Sequence, residues 1–554
     1  MKAEFRINYD PKTGFVFNEN VENVQPFLFQ SFENNLYRFF LKGVILNFKH
    51  LVAEYGTASN CTDLISYLYE KFGSGFSSEF SGEFCGYLYD KREEKLFVFA
   101  NLSASQTVFY HYYNRHLFID TDLLSLKNSL DKHAAPYSAD IEAAYCLLTL
   151  NSLPGNLTLL KDVKKLSGGE QLFFDAKAGR VAIEKIEDLS YVDAFSGNKQ
   201  EAIHTLEDLF IRAVRQEYDF DLDRNLEHFA LLSGGLDSRM GVLYAKNLGY
   251  SHHQALCFSH SGYWDETIAT TIAEREQIPL KVVHLDGGDF LKNIDRLCSI
   301  TQGLTNYTGG VHSEYALSTI DFSGEGLIHS GHLGDAVLGS YLSSDKKNPA
   351  SAALYKMIAS KRYLPKIEPL LSQLVALSPS EEAFLLYNRG FNFINVGNYV
   401  AENFSIAVSP FMHNDFLRFA LSLPEKWRFN ENIYIEWIRE CSPAAANYIW
   451  ERTLMRPDKV WKTRYGDQLK VRLYHLFFDK ILNRPYACNM APYEYYFKTN
   501  LDIAKYFDLY FSENIHLIQD QPLKNDCIAM YQTGGFNEKT MVLSLLGSYK
   551  LLFG

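Results

Sequence analysis

The sequence lacks the features that mark secreted, membrane-spanning and zinc-binding proteins. Its 554 residues include only eight cysteines, which are scattered and form no C-x-x-C pair. Neither a disulfide framework nor a zinc knuckle is therefore expected. No run of about 18 apolar residues occurs, so no membrane-spanning helix is predicted. The first residues, MKAEFRINYDPKTGF, lack the apolar segment of a signal peptide. Together these absences predict a cytoplasmic protein with no membrane partner.

An excess of positive charge is absent as well. Lys and Arg number 54 against 66 Asp and Glu, which gives a formal net charge of −12. Because an acidic surface repels phosphate backbones, no nucleic-acid partner is expected. The chain is too long for one ordinary core, so we expect more than one folded unit.

Strand patterns dominate residues 1–185. The segment GEFCGYLYDKREEKLFVFAN alternates in polarity and breaks at DKREEK, as a β-hairpin does. The segment TVFYHYYNRHLFIDTD repeats this scheme with its break near Asn114, and CTDLISYLYEKFG has helical spacing. A strand-rich α+β domain is predicted for this part.

Residues 200–554 follow a different pattern, which begins with a helix. Its apolar stripe is approximated by Leu206, Leu209, Ile211 and Val214. The segments EHFALLSGG, HHQALCFSH and LKVVHL then resemble buried strands, separated by the helical segments SRMGVLYAKNLG and ETIATTIAEREQI. This alternation predicts an α/β domain with a parallel sheet and crossover helices. From about residue 345 the chain is predicted to be mainly helical.

The letters L-S-G-G occur twice, in KLSGGEQLFF and in LLSGGLDSRM. Short β-like segments flank the first copy at Gly168 and Gly169, which is typical of a hairpin turn. No helix follows that copy at once, so no helix N-terminus is available there for an anion. The first copy is therefore assigned to a turn.

The second copy lies between a predicted buried strand and a predicted helix. Glycines let the backbone of Gly234 and Gly235 approach a ligand closely, and the helix start offers free N–H groups. Ser233 and Ser238 add hydroxyl donors, so the segment suits a phosphate or pyrophosphate. Asp237 fits beside such an anion only if a metal ion lies between them. The alternative is a glycine-rich turn capped by Asp or Ser.

The motif SGGLDS resembles the PP-loop of the ATP pyrophosphatases, which cleave ATP between its α and β phosphates. Further segments resemble the asparagine-synthetase-like amide ligases of that superfamily, and they occur in the family's order over nearly the whole chain. These segments are LTLNSLPGNLTLLKDVKKLSGGEQLFFD, SHSGYWDETIATTIAEREQIPLKVVHL, LIHSGHLGDAVLGSY and VSPFMHNDFLRFALSLPEKW. The resemblance implies a class II glutamine-amidotransferase-like domain over residues 1–185. It also implies a PP-loop synthetase domain over residues 200–554.

The resemblance also implies cofactors and binding residues. ATP and Mg²⁺ are expected, with Asp237 and Asp335 sharing the metal ion, since two carboxylates suit a hard cation that also binds phosphate oxygens. The residues expected at ATP or pyrophosphate are Leu232, Ser233, Gly234, Gly235, Leu236, Asp237, Ser238, Phe258, Ser259, Ser330 and Gly331. The alternative for HSGHLGD is a polar surface loop.

The nitrogen source is where the chain departs from the family. Glutamine-using members carry a cysteine directly after the initiator Met, whereas this chain has Lys2 there and its next cysteine is Cys61. A degenerate amidotransferase domain without glutamine hydrolysis is therefore expected. Members that lack this cysteine include β-lactam synthetases and lasso-peptide macrolactam synthetases, in which the amine belongs to the substrate.

The segment LIHSGHLGDAVLGSY resembles the second active-site loop of the family, and this second loop points to the same branch through His332. Its GHLGD is similar to the GHGGD of lasso-type cyclases, and a histidine there can accept a proton from the attacking amine. The alternative is a histidine that only holds the loop by hydrogen bonds.

The lysines that hold pyrophosphate in the family match poorly. Ile435 stands in IYIEWIRE at the place of one of them, so that contact is expected to be missing. The other falls near WERTLMRPDKVWKTRYG, where Arg456, Lys459 and Lys462 are candidates. Lys459 and Lys462 join His332 as the expected catalytic residues.

Four functions remain open on the sequence alone. The first is an ATP-dependent amide ligase acting on a small molecule or peptide that carries both carboxylate and amine. The second is an ammonia-dependent asparagine-type synthetase. The third is a PP-loop RNA-modifying enzyme, which the acidic charge and the missing C-x-x-C disfavour. The fourth is a catalytically silent partner protein of a biosynthetic pathway.

Overall fold

Two stacked antiparallel sheets form the amino-terminal part of the protein. A computed structural model describes residues 2–58, 60–251, 254–458 and 490–554. Its first eleven strands are β1 Glu4–Asp10, β2 Gly14–Asn20, β3 Phe29–Glu33, β4 Tyr37–Ile45, β5 Gly82–Asp90, β6 Lys95–Ala100, β7 Phe109–Tyr113, β8 His116–Asp120, β9 Lys164–Lys165, β10 Glu170–Asp175 and β11 Arg180–Lys185. The strand orders are β2-β1-β8-β7-β9 and β11-β10-β6-β5-β4-β3. Both predicted hairpins, β5–β6 and β7–β8, are confirmed.

Helices cover the outer faces of these two sheets. They are α1 Phe48–Tyr55, α2 Cys61–Phe72, α3 Leu123–Lys132 and α4 Ile141–Leu150. Side chains on a strand alternate between its two faces, so Phe40 of β4 packs between the sheets, whereas Phe39 and Leu41 pack against α2. Helix α3 packs on β7 and β8 from the other side. The result is a helix–sheet–sheet–helix sandwich.

The first L-S-G-G copy forms a turn but not the predicted hairpin. The N–H of Glu170 donates to the carbonyl of Ser167 at 3.1 Å. However, β9 pairs with β7, whereas β10 pairs with β6 in the other sheet. The turn therefore carries the chain from one sheet to the other. It does so in close contact with neighbouring backbone, since a Cβ on Gly168 would lie 2.2 Å from the carbonyl oxygen of Leu102.

A parallel sheet follows, as predicted. Its elements and those around it are α5 Lys199–Leu222, β12 Glu227–Leu231, α6 Leu236–Asn247, β13 Gln254–Ser259, α7 Trp264–Glu276, β14 Leu280–His284, α8 Ile294–Thr301, α9 Val311–Leu317, β15 Glu325–His329 and β16 Ala407–Val408. The order is β14-β13-β12-β15-β16, and all four pairings are parallel. Strand β16 lies in the region predicted to be mainly helical, where its two residues are too few for a periodic pattern.

The helix α5 begins at a capping box in which Asn198 and Glu201 each bond the other's backbone N–H. The predicted stripe on this helix is only partly right, because Leu209 and Ile211 lie at its edges, partly exposed. Its buried residues are Ala202, Ile203, Leu206, Phe210, Ala213, Val214, Glu217, Tyr218, Phe220 and Asp221. The carboxylates of Glu217 and Asp221 thus lie on the buried face of α5, although the apolar pattern alone does not predict their burial.

The rest of the described chain is mainly helical, as predicted. Its α-helices are α10 Leu354–Met357, α11 Leu364–Ala376, α12 Glu381–Leu385, α13 Val396–Ala401, α14 Asn414–Ser422, α15 Glu425–Arg428, α16 Asn432–Cys441, α17 Pro443–Ala446, α18 Tyr493–Thr499, α19 Leu501–Asn514, α20 Gln521–Thr533 and α21 Phe536–Phe553. Helix α21 packs against α3, α4, α8 and α20, so it joins the two halves of the chain. Within the described ranges, no helix combines the length and apolarity needed to cross a bilayer.

Candidate functional site

A cavity of about 630 Å³ opens at the carboxyl ends of the central parallel strands. Loops after β12 and β15 meet there, as parallel strands require. The predicted site residues that line it are Leu232, Ser233, Gly235, Leu236, Asp237, Ser238, Phe258, Ser330, Gly331, His332 and Asp335. Two further predicted residues, Gly234 and Ser259, do not line the cavity. Lys459 and Lys462 lie outside the described residues.

Glycines allow the two loops to touch. A Cβ on Gly331 would lie 2.3 Å from the carbonyl carbon of Asp237, and one on Gly334 would lie 2.7 Å from the Asp237 side chain. A larger residue at Gly331 would displace the backbone of Asp237, and one at Gly334 would displace the Asp237 side chain. The second loop therefore packs directly on the first turn of α6.

The two aspartates expected to share a metal ion are adjacent. The backbone N–H of Asp335 donates to Oδ2 of Asp237 at 2.9 Å, and the hydroxyl of Tyr434 donates to Oδ1 at 2.8 Å. Burial, and next the charge of Asp335, raise the pKa of Asp237 well above its usual value. A buried carboxylate beside a second one favours a bound cation, and oxygen ligands suit Mg²⁺. The residues present therefore fit a magnesium ion.

The glycine loop, residues 232–235 between β12 and α6, is closed by hydrogen bonds to side chains of the protein. The N–H of Ser233 donates to Oγ of Ser238 at 3.0 Å, and the N–H of Gly235 donates to Oγ of Ser233 at 3.1 Å. The N–H of Gly234 donates to Oδ1 of Asp265 at 2.9 Å. A phosphate would have to replace these acceptors in order to use the same N–H groups.

Asp265 belongs to an acidic wall that the sequence reasoning missed. Asp265, Glu431 and Glu451 line the cavity together with Asp237 and Asp335. Burial, and next the charge of Asp265, raise the pKa of Glu451 to about 7. Asp265 lies in the first turn of α7, where an acidic residue ordinarily complements the helix dipole, so its position carried no distinct signal.

Arg239, also missed, holds the glycine loop from behind. Its guanidinium is completely buried, and burial lowers its pKa to about 10. Its hydrogen-bond acceptors are the carbonyls of Gly234, Gly235, Ala445, Tyr448 and Ile449. The loop is thereby tied to the segment that follows α16.

His332 is held in one tautomer. The side-chain amide of Asn395 donates to the carbonyl of Ser103 at 2.9 Å, so its Oδ1 faces Nε2 of His332, 3.1 Å away. Because that oxygen can only accept, Nε2 carries the proton and Nδ1 keeps a lone pair. Within the described residues Nδ1 has no hydrogen-bond partner. Burial lowers the pKa of His332, so the imidazole is neutral at neutral pH.

Ile435 is buried in α16, at the position where the asparagine-synthetase-like ligases have a lysine. Its side chain offers no charge to a phosphate. The neighbouring Tyr434 is the residue of this helix that contacts Asp237. Arg456 is exposed and does not line the cavity.

The seven cysteines in the described part of the chain are unsuited to nucleophilic catalysis. Burial raises the pKa of both Cys61 and Cys85, in the amino-terminal part, to about 12. A thiol with such a pKa is not a thiolate at neutral pH. The other five described cysteines also have a pKa raised by burial.

Comparison with known proteins identifies the amino-terminal part. The sequence model of a family described as the glutamine amidotransferase domain matches residues 16–185. No curated protein matches the chain. Together with the stacked sheets, this match confirms the predicted fold class and shows that residues 16–185 are similar to a glutamine amidotransferase domain.

Two solved structures show distant similarity. One is glutamine phosphoribosylpyrophosphate amidotransferase from B. subtilis complexed with ADP and GMP, with 11% identity and a TM-score of 0.21, covering 51% of this chain and 59% of that one. The other is described as the allosteric regulatory enzyme of purine biosynthesis, with 10% identity and a TM-score of 0.22, covering 51% of this chain and 74% of that one.

Proposed function

We propose that the protein is an ATP-dependent ligase that adenylates a carboxylate and joins it to an amine. One observation carries this proposal: two loops from neighbouring parallel strands bring Asp237 and Asp335 together, with 2.9 Å between the Asp335 nitrogen and Asp237 Oδ2. That pair lies beside the glycine loop and the N-terminus of α6, in a cavity large enough for a nucleotide.

In the first step the substrate carboxylate attacks the α-phosphate of ATP, which gives an acyl-adenylate and pyrophosphate. Ser233, Gly235 and Ser238 orient the departing pyrophosphate with their hydroxyl and N–H groups. Asp237 and Asp335 would hold a Mg²⁺ ion, which would neutralise charge on the phosphate oxygens. Among the described residues, five carboxylates and one arginine, Arg452, line the cavity, so we also assign Lys459 and Lys462 to the pyrophosphate.

In the second step the amine attacks the acyl carbon, AMP leaves, and Nδ1 of His332 takes the proton from the amine. The neutral tautomer imposed by Asn395 suits this role. Apolar side chains of Phe393, Ile394 and Val396 line the same cavity and limit the access of water to the adenylate.

We propose that the amine comes from the substrate rather than from glutamine. The described cysteines are protonated at neutral pH, and Lys2 stands where glutamine-using enzymes have their nucleophile. The substrate class that follows is a peptide or natural-product precursor that carries both a carboxylate and an amine. The amidotransferase-like domain then acts as a scaffold.

The test is release of AMP and pyrophosphate from Mg-ATP in the presence of candidate carboxylates, with and without an amine in the same molecule. We expect turnover without glutamine or ammonium, and loss of at least about 100-fold in Asp237→Asn. A strict requirement for free ammonium would instead indicate an asparagine-type synthetase. Glutamate release from glutamine would contradict the proposed amine source.

Two observations favour a second candidate, a catalytically silent partner protein. The N–H of Gly234 is already occupied by Asp265, and Ile435 replaces a lysine of the related enzymes. Isothermal titration with Mg-ATP separates the two candidates. Binding followed by AMP formation supports the ligase, and the absence of any binding supports the silent partner.

A further inference from the structure

A second cluster of ionisable side chains lies on the other face of the parallel sheet. Leu231 of β12 and Ile328 of β15 line the cavity. On the same two strands, His228 and His329 lie an odd number of residues from them. Because side chains alternate between the two faces of a strand, the two histidines face away from the cavity. Helix α5 covers that face and contributes Asp221. All three side chains are at most 5% exposed.

The three ligand-type atoms converge on one point. Oδ2 of Asp221 lies 3.1 Å from Nδ1 of His228 and 2.8 Å from Nε2 of His329. All three atoms lie within 4.8 Å of one another. Ligands of tetrahedral zinc lie roughly 3.3 Å apart, given bonds of about 2.0 to 2.1 Å. The two distances to Oδ2 of Asp221 therefore need to lengthen by only a few tenths of an ångström to suit such an ion.

Hydrogen bonds to neighbouring residues already orient the side chains of His329 and Asp221. Oε2 of Glu217 lies 3.4 Å from Nδ1 of His329, which leaves Nε2 as the ligand atom. The N–H of Leu327 donates to Oδ1 of Asp221 at 3.0 Å, which leaves Oδ2 as the ligand atom. A carboxylate behind a metal-binding histidine is the usual second shell of a protein zinc site.

The charges of the cluster suit a divalent cation. Oε1 of Glu217 is buried and has no hydrogen-bond partner among the described residues. Asp221 and Glu217 together can carry two negative charges, which one divalent ion neutralises when both histidines are neutral. Buried carboxylates are otherwise costly.

We propose that Asp221, His228 and His329 form a buried binding site for a divalent transition-metal ion of the Zn²⁺ type, with Glu217 supporting His329. Binding displaces one proton, from Nε2 of His329, while His228 moves its proton from Nδ1 to Nε2. The ion ties α5 to β12 and β15, whose following loops carry Ser233 and Ser330. Its role is to hold the two strands that position the cavity loops.

The experiment uses the full chain, purified without a metal-affinity tag, incubated with Zn²⁺ and dialysed against excess Mg²⁺. We expect one zinc per chain by elemental mass spectrometry. Asp221→Asn and His329→Gln should lose it, whereas the matched control His111→Gln, at another buried histidine, should retain it. Zinc retained equally by wild type and both site variants would overturn the proposal, as would no retention by wild type.

A second measurement needs no variant and covers the case in which the site variants fail to fold. Cobalt(II) bound in place of zinc should give the intense visible bands of a tetrahedral site with nitrogen and oxygen ligands. X-ray absorption of the zinc form should show two imidazole ligands. Weak octahedral bands, or a single imidazole, would contradict the site. Neither readout depends on catalysis, so failure here is separate from failure of the ligase proposal.

Discussion

At the scale of single residues, the cavity depends on pairs that orient one another. Tyr434 donates to Asp237, and Asn395 orients His332. Neither Tyr434 nor Asn395 was expected at the site from sequence, because each lies in a helical region far along the chain from its partner. Both act by positioning a neighbour that is proposed to contact metal ion or substrate.

Tyr434→Phe is expected to weaken the response to magnesium. The substitution removes the hydrogen bond to Asp237 Oδ1, and a hydrogen bond to a charged group is worth about 1.5 to 3 kcal/mol. Half-maximal pyrophosphate release should then need roughly tenfold or more Mg²⁺. Tyr307→Phe is the matched control, a buried tyrosine that donates to the carbonyl of Leu291 instead. Equal magnesium curves for the two variants would contradict the role of Tyr434.

Asn395→Asp is expected to change the pH dependence of turnover. Burial lowers the pKa of His332, so in the wild type the acidic limb lies below the ordinary histidine range. A carboxylate near Nε2 favours the imidazolium and moves that limb upward by about 1 to 3 pH units. The measurement is kcat/KM against pH. Asn388→Asp is the control, because it places a carboxylate at another buried asparagine and should leave the acidic limb of the profile unmoved. An unshifted profile in Asn395→Asp would argue against His332 as the base.

At the scale of elements, the start of α6 is fixed by a side chain of the same helix. Arg239 bonds two carbonyls of the glycine loop and three carbonyls at residues 445–449. The helix, the loop and the segment after α16 therefore form one unit. The approach of the second loop depends on this unit, since Gly331 packs against Asp237.

Arg239→Met is expected to lower the free energy of unfolding by about 2 to 4 kcal/mol, because buried carbonyls lose their donors. Urea titration of the full chain measures this change. Arg212→Met is the comparison, since that arginine and its partner Asp415 are both more than half exposed, so its loss should cost about 1 kcal/mol or less. A loss of similar size in both variants would contradict the role given to Arg239.

At the scale of the whole molecule, the two halves of the chain share one core. Helices α3 and α4 pack in the same apolar cluster as α21 and the parallel sheet. Asn395 also bonds the carbonyl of Ser103 in the amino-terminal half. We therefore expect the halves to unfold together rather than as independent domains.

Leu68→Ala tests this coupling. Leu68 lies on the buried face of α2, in a cluster formed only by amino-terminal residues, and its truncation should cost about 2 to 5 kcal/mol. All five tryptophans lie at position 264 or beyond, so tryptophan fluorescence reports on the carboxyl-terminal half. Cooperative unfolding predicts that the fluorescence transition shifts with the mutation. An unchanged transition would show independent halves, and Leu68→Met should shift it little.

Local patterns were sufficient to predict much of the fold. The hairpins, the alternation of β12 to β14 with α6 and α7, and the strand–glycine–helix segment at Ser233 each lie within a few tens of residues. Periodicity and turn chemistry act over such distances, so the order of residues determines them. Strand β16 was not predicted because it has two residues and depends on pairing with β15.

The composition of the site was decided by tertiary structure. Asp265, Tyr434 and Glu451 meet the glycine loop from distant segments, and Tyr434 lies 197 residues from its partner Asp237. The cluster of Asp221, His228 and His329 likewise forms only when α5 packs on two strands. The sequence by itself determined which elements form and where the glycine loop lies. Which carboxylates, histidines and hydroxyls surround that loop was decided by packing, because contacts between distant segments leave no periodic trace along the chain.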